Sequence, residues 1–169
     1  QYATVLAEHH EILRTSIQKW NGHEVDTQGD AFFVTFTRAS DAVQCAADAQ
    51  RALASHSWTL DLPLRVRMGL HTGEPLIAST GYVGMDVHRA ARIGDVAHGG
   101  QVLLSQTTRE LVKHDLPPEL TIRELGEYRL KDMKYPTPIY QLVMDGLPFD
   151  FPALRMKFTG TESPTPGEP

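Results

Sequence analysis

The chain has 169 residues, 41% of them hydrophobic and 22% charged, which fits one globular domain with a core of useful size. Its formal net charge of −5, without a stripe of basic residues, argues against a nucleic-acid partner, which would require a basic face. No apolar run is long enough to span a bilayer, and the single cysteine, Cys45, excludes an internal disulfide or a thiolate metal site.

The first third of the chain predicts a helix, a β-hairpin and a second helix. Apolar residues recur at helical spacing over residues 1–20, and Asn21-Gly22 ends that helix. A polar strand then turns at Gly29 into an apolar strand, in which Phe32, Val34 and Phe36 alternate with their neighbours. A second helix is predicted over residues 40–54, with Ser40 as its N-cap and Cys45 buried on its small-residue face.

The remainder alternates between strands and helices. The pattern predicts strands at Leu64–His71, Leu76–Ala78, Gln101–Leu104, Thr121–Leu130 and Thr137–Met144, and helices at Met85–Val96 and Ser105–His114, the last capped by Ser105. Such an order, with several strands in hairpins, predicts an α+β fold in which helices pack on a mostly antiparallel sheet.

Prolines multiply after Asp145, and we expect one domain over residues 1–147, followed by a Pro-rich linker or tail over residues 148–169. No signal peptide is recognisable. Together with the lone thiol, this predicts a cytoplasmic chain without membrane contact.

The hairpin segment 23–36 offers the clearest candidate for chemistry. Gly29 supplies the bend and leaves the carboxylate of Asp30 at the mouth of the hairpin, where it can bind a cation. A second carboxylate, Asp26, lies four residues earlier. The alternative is a turn aspartate that bonds its own backbone, as turn aspartates often do.

Three segments resemble the catalytic domains of class III nucleotidyl cyclases, the adenylate and guanylate cyclases. They are the hairpin block 25–34, the block 65–74, and the pair 84–93 and 99–105, in the order and at the spacing of that family over most of residues 1–144. The resemblance implies a ferredoxin-like cyclase core. It also implies that the strand carrying the family's first metal-binding aspartate precedes Gln1.

What the resemblance implies about the metal and the base can be stated residue by residue. In the family, two aspartates hold Mg²⁺ or Mn²⁺, and Asp30 matches the one in the hairpin. Asp26 and Gly81 match the positions that face the purine. A carboxylate accepts from guanine N1–H and the 2-amino group but cannot donate to adenine N1, so Asp26 favours GTP. The alternative is that Asp26 is a solvated strand residue.

The phosphate-facing positions fall on the predicted helix and a later loop. Arg92 matches the arginine that contacts the triphosphate, and its fork of donors suits phosphate oxygens. Its alternative role is an ion pair with Asp95 or Asp86. His88 stands where the family commonly has an asparagine that orients the ribose. Lys131, or less readily Lys134, matches a lysine that contacts the phosphates.

Three further aromatic or imidazole residues have structural interpretations. His71 is expected to pack at a strand end, because no second histidine or carboxylate lies at metal-ligand spacing. Trp20 and Trp58 are expected to be core or interface anchors.

Two functions remain open from the sequence. The first is a purine nucleotidyl cyclase that acts as a head-to-tail homodimer, with His88 and Arg92 reaching a site whose metal is held by the other copy. The second is a cyclase-homology module without turnover that senses nucleotide or dimerises. A diguanylate synthase is disfavoured, because Gly99-Gly100 is followed by Gln101-Val102 and not by acidic residues.

Overall fold

The computed structural model describes residues 1–61, 63–79 and 81–156. Within these ranges the helices are α1 (Tyr2–Lys19), α2 (Ala39–Ser55), α3 (Met85–Asp95) and α4 (Gln106–Val112). The strands are β1 (His23–Gln28), β2 (Ala31–Thr35), β3 (Met68–Leu70), β4 (Leu76–Ala78), β5 (Gly81–Val83), β6 (Val102–Ser105), β7 (Leu120–Tyr128) and β8 (Thr137–Met144).

The strands form one four-stranded sheet and two separate hairpins. The sheet has the order β3-β6-β8-β7, in which β3 runs parallel to β6 and the other neighbours are antiparallel. The hairpins pair β1 with β2 and β4 with β5. The predicted α+β architecture, with helices packed on a mostly antiparallel sheet, is confirmed.

The core is built where small residues of α2 allow close packing. Ala46 and Ala47 lie against buried residues of β6 and β8 such as Leu104 and Leu142. The opposite side of α2, with Cys45, packs together with α1 and the β1–β2 hairpin. Burial of Cys45 raises the pKa of its thiol to about 12, so it is a packing residue, as predicted.

Three local predictions differ from the structure. Helix α2 begins at Ala39 with Arg38 as N-cap, so Ser40 lies inside the helix and does not cap it. Of the strand predicted over 64–71, only β3 is formed. The Val66 carbonyl accepts from the Gly100 N–H and from the side chain of Gln50, and not from a neighbouring strand. Strand β5 was not predicted. The N-cap at Ser105 is confirmed, since its Oγ accepts from the Thr108 N–H.

Residues 148–156, predicted to start the linker or tail, pack on the domain. Leu154 is buried beside Ile93 and Val96, and the Arg155 N–H donates to the Val96 carbonyl at 2.8 Å. Leu154 lies in a Pro-rich stretch whose composition alone indicates a linker, and its apolar side chain is what packs there. Residues 157–169 lie outside the described residues. Within the described ranges, no helix has both the length and the hydropathy that a bilayer crossing requires.

An ion pair joins α1 to the β1–β2 hairpin. Arg14 donates to both oxygens of Glu24 at 2.9 Å, and Thr27 donates to the same carboxylate. These bonds lower the pKa of Glu24 to about 2, and the bond from Arg14 has the largest effect.

We expect Glu24→Gln to reduce thermal stability modestly at pH 7. The folded pKa of Glu24 lies below its unfolded value, so its contribution is present above about pH 4.5 and is lost as the pH falls toward 2. The melting temperatures of the wild-type protein and of Glu24→Gln should therefore become equal as the pH falls through that window. Glu11→Gln, on the exposed side of α1, is the control. If its melting temperature differs from that of the wild-type protein with the same dependence on pH, the effect does not belong to the Arg14–Glu24 ion pair.

Candidate functional site

The tip of the β1–β2 hairpin consists of Gly29 and Asp30. Gln28 pairs with Ala31, which leaves a two-residue loop. Gly29 has a φ of +60°, as the first of the two central residues of a type II′ turn requires. His10 Nε2 donates to the Gly29 carbonyl at 2.7 Å and fixes the tip against α1. Asp30 is exposed, and within the described ranges its carboxylate makes no side-chain hydrogen bond or ion pair. The backbone bond of an ordinary turn aspartate is therefore not formed there.

A single free carboxylate is compatible with a Mg²⁺-type site. Magnesium commonly keeps several waters and binds one or two carboxylates together with substrate phosphates, not a cage made only of protein ligands. In the part of the chain that the structure describes, no three histidine, cysteine, aspartate or glutamate side chains form a metal-binding group. Asp30 thus fits as one ligand of an ion shared with phosphate.

The two positions matched to the purine lie on neighbouring elements. Asp26 pairs with Phe33 across the hairpin, and paired residues of antiparallel strands project to the same face. The Phe33 ring meets the Tyr82 ring edge-to-face with centroids 6.5 Å apart, and Tyr82 follows Gly81 in β5. Gln28 donates to the Asp26 carboxylate at 3.1 Å. The ring contact therefore joins the hairpin that carries Asp26 to the hairpin that carries Gly81.

Helix α3 is held tightly against β3. A Cβ on Gly69 would lie 2.3 Å from the Gly94 nitrogen and 2.7 Å from the Ala90 carbonyl oxygen, so the two backbones approach too closely for a side chain. His88 and Arg92 are both on this helix; His88 is exposed and Arg92 half-buried. The close approach fixes the element from which both side chains project.

The guanidinium of Arg92 is bound by two carboxylates. One terminal nitrogen donates to Asp95 at 3.3 Å and the other to Asp132 at 2.9 Å. The ion pair with Asp95 is therefore formed and the alternative pair with Asp86 is not. Asp132 lies 40 residues away in the β7–β8 loop, and no local spacing signals the contact. It also places Lys131, which is exposed, next to the partner of Arg92.

Asp86 instead binds His71, a contact that the sequence did not predict. His71 Nε2 lies 2.8 Å from Asp86 Oδ1, and Nδ1 lies 2.7 Å from Ser105 Oγ. The bond from His71 and the Glu74 N–H lower the pKa of Asp86. A Cβ on Gly73 would lie 2.1 Å from the Asp86 carboxylate, so a side chain at position 73 would displace that carboxylate from His71. His71 packs at the end of β3 as expected, but with a carboxylate partner that its spacing did not reveal.

Comparison with known proteins identifies the family. The family model described as the adenylate and guanylate cyclase catalytic domain matches residues 1–144. The chain belongs to this family. The cyclase resemblance of the hairpin and of the α3 region is thereby confirmed.

Relatives and solved structures agree with the assignment. An uncharacterized Mycobacterium tuberculosis protein is 42% identical over 138 residues, which cover 82% of this chain and 45% of the relative. A receptor-type adenylate cyclase of Trypanosoma brucei brucei is 26% identical over 179 residues, covering 81% of this chain and 14% of the relative. The chain thus spans less than half the length of each.

The fold is shared with a Trypanosoma brucei adenylate cyclase solved in its monomeric state. That structure superimposes with a TM-score of 0.78 and 28% identity, over 91% of this chain and 84% of the other. The cyclase fold class predicted from the sequence is confirmed.

Proposed function

We propose that this cyclase-family domain converts GTP or ATP into a 3′,5′-cyclic nucleotide and pyrophosphate. In this reaction the ribose 3′-oxygen attacks the α-phosphorus, its proton leaves, and the bond from the α-phosphorus to the bridging oxygen breaks. The observation that carries the proposal is the free carboxylate of Asp30 at the tip of a hairpin within the 1–144 family match. Catalysis of this kind consists mostly of positioning and charge stabilisation.

The residues matched to the metal, the phosphates and the ribose have separate roles in the proposal. A divalent ion, Mg²⁺ or Mn²⁺, supplies charge neutralisation at the phosphate oxygens when bound, and Asp30 holds it. Arg92 and Lys131 donate to phosphate oxygens. His88 donates one hydrogen bond toward the ribose, in place of the family's asparagine.

The site is proposed to form between two copies of the chain, with the metal carboxylate of one facing Arg92 of the other. The β4–β5 hairpin supports association, because Leu76 and Ile77 are 71% and 80% exposed and Val83, which pairs with Leu76, is exposed as well. A two-stranded hairpin with such side chains is expected to be covered by a partner.

Asp26 leads us to propose GTP as the preferred substrate. We expect the full-length protein, assayed with Mn²⁺, to have a higher kcat/KM for GTP than for ATP. Asp26→Asn should reduce that preference roughly 5- to 150-fold, the range of about 1–3 kcal/mol that a bidentate base contact is worth. Asp115→Asn, an exposed aspartate after α4, is the control. Equal use of both substrates by the wild-type protein would show that Asp26 does not select the base.

The second candidate function is a non-catalytic module for nucleotide sensing or dimerisation. Two observations favour it: His88 occupies the asparagine position, and both terminal nitrogens of Arg92 are bound by carboxylates. A well-folded dimer that binds nucleotide and forms no cyclic product would establish this function and refute the cyclase.

A further inference from the structure

The turn that carries Lys131 is anchored directly on α3. The Met133 N–H donates to the Leu130 carbonyl at 3.2 Å, which closes a β-turn with Lys131 and Asp132 at its centre. Leu130 is buried and packs with Met133 in the cluster that surrounds Ile93, the neighbour of Arg92. Packing therefore fixes the distance between the turn and Arg92.

Asp132 adopts a left-handed backbone conformation. Its φ is +61°, at the third position of the turn, where glycine or asparagine is usual. Most residues with a side chain are strained in this region, and aspartate is among those that tolerate it best. Glycine or asparagine would suit the backbone at this position at least as well, but neither would supply the carboxylate that bonds Arg92 at 2.9 Å.

Two carboxylates occupy the Arg92 guanidinium. Asp95 binds one terminal nitrogen and Asp132 the other, so the single positive charge of Arg92 faces two negative ones. The side chain of Asp132 is 63% exposed, and that of Arg92 is 26% exposed. An ion pair with so much solvent contact is weak, whereas a phosphate bound by a guanidinium fork is held more strongly. A polyphosphate can therefore displace Asp132.

We propose that Asp132 is a built-in competitor of the polyphosphate group on Arg92. The inference rests on the proposed function, since it assigns Arg92 to phosphate contact. Before binding, the Asp132 carboxylate occupies one terminal nitrogen of the guanidinium; substrate phosphate takes its place, and Asp132 returns as pyrophosphate leaves. Asp132 thereby weakens binding of both the triphosphate and the pyrophosphate product.

The test measures binding of inorganic pyrophosphate to the full-length protein by calorimetry, without a divalent ion so that Asp30 does not contribute. Asp132→Asn should lower the Kd roughly three- to fivefold, the upper range for an exposed ion pair. Asp132→Gly should do the same, and both residues suit a positive φ. Asp150→Asn, which removes one exposed charge elsewhere, should leave the Kd within experimental error.

A double-mutant cycle assigns the effect to Arg92. In an Arg92→Gln background, Asp132→Asn should no longer change the Kd, because the nitrogen for which the two anions compete is gone. An unchanged or higher Kd in Asp132→Asn, or no pyrophosphate binding by either protein, overturns the inference. Cyclic-nucleotide formation by the wild-type protein decides the proposed function separately, since it does not depend on Asp132.

Discussion

Asp30→Asn is expected to lower the rate of cyclic-nucleotide formation about a thousandfold while leaving the fold intact. Coordination by a carboxylate supports several kcal/mol of charge stabilisation at the phosphates, and each 1.4 kcal/mol corresponds to a factor of ten. Asp30 is exposed and makes no side-chain bond in the described ranges, so melting temperature should change little. The rate is measured with GTP and Mn²⁺ in the full-length protein.

A second measurement separates loss of metal from loss of substrate binding. Titration of Mn²⁺ followed by electron paramagnetic resonance, with nucleotide present, should give weaker binding in Asp30→Asn. Asp41→Asn in the first turn of α2 is the matched control, since it removes the same charge away from the hairpin tip. Wild-type activity in Asp30→Asn would remove the metal assignment, and with it the main support for the cyclase proposal.

Arg92→Gln is expected to reduce the same rate by a factor on the order of 10³, the lower range for an arginine that stabilises phosphoryl-transfer charge. The loss should appear mainly in kcat if the contact strengthens in the transition state. Stability should fall only slightly, because the ion pairs with Asp95 and Asp132 are largely solvated.

Mixing the two inactive variants tests whether each site is shared between copies. In a head-to-tail dimer of Asp30→Asn with Arg92→Gln, one site carries both substitutions and the other carries none. Activity should then recover to about a quarter of the wild-type value per chain if subunits exchange at random. Failure to recover, with exchange demonstrated by labelled subunits, would place Asp30 and Arg92 in the same chain's site or in none.

Local patterns in the sequence were sufficient to predict most elements. The apolar periodicity of α1, the Gly29 bend and the Ser105 cap all depend on neighbouring residues, and all are present in the structure. Strand β3 was predicted too long, because the atoms that end it come from Gln50 and Gly100. Composition predicts a linker around Leu154, because composition cannot show that this one apolar side chain packs beside Ile93.

The residues of the candidate site can be predicted from the sequence, but their contacts cannot. The resemblance to cyclases points to Asp26, His88 and Arg92, and the Gly29 bend points to Asp30 as well. The contacts that surround them could not be predicted, because Asp132 is 40 residues from Arg92, and Ser105 is 34 from His71. Only the folded chain brings these side chains together. Asp132 occupies a donor of Arg92, and Ser105 occupies a ring nitrogen of His71.

The glycine contact between β3 and α3 restricts how the site can adjust. With no side chains between Gly69 and Gly94, helix α3 cannot move closer to β3. His88 and Arg92 lie on this one helix, so a rigid displacement of α3 moves both side chains together. In the proposed dimer, we therefore expect regulation to act by reorienting α3 relative to the second copy.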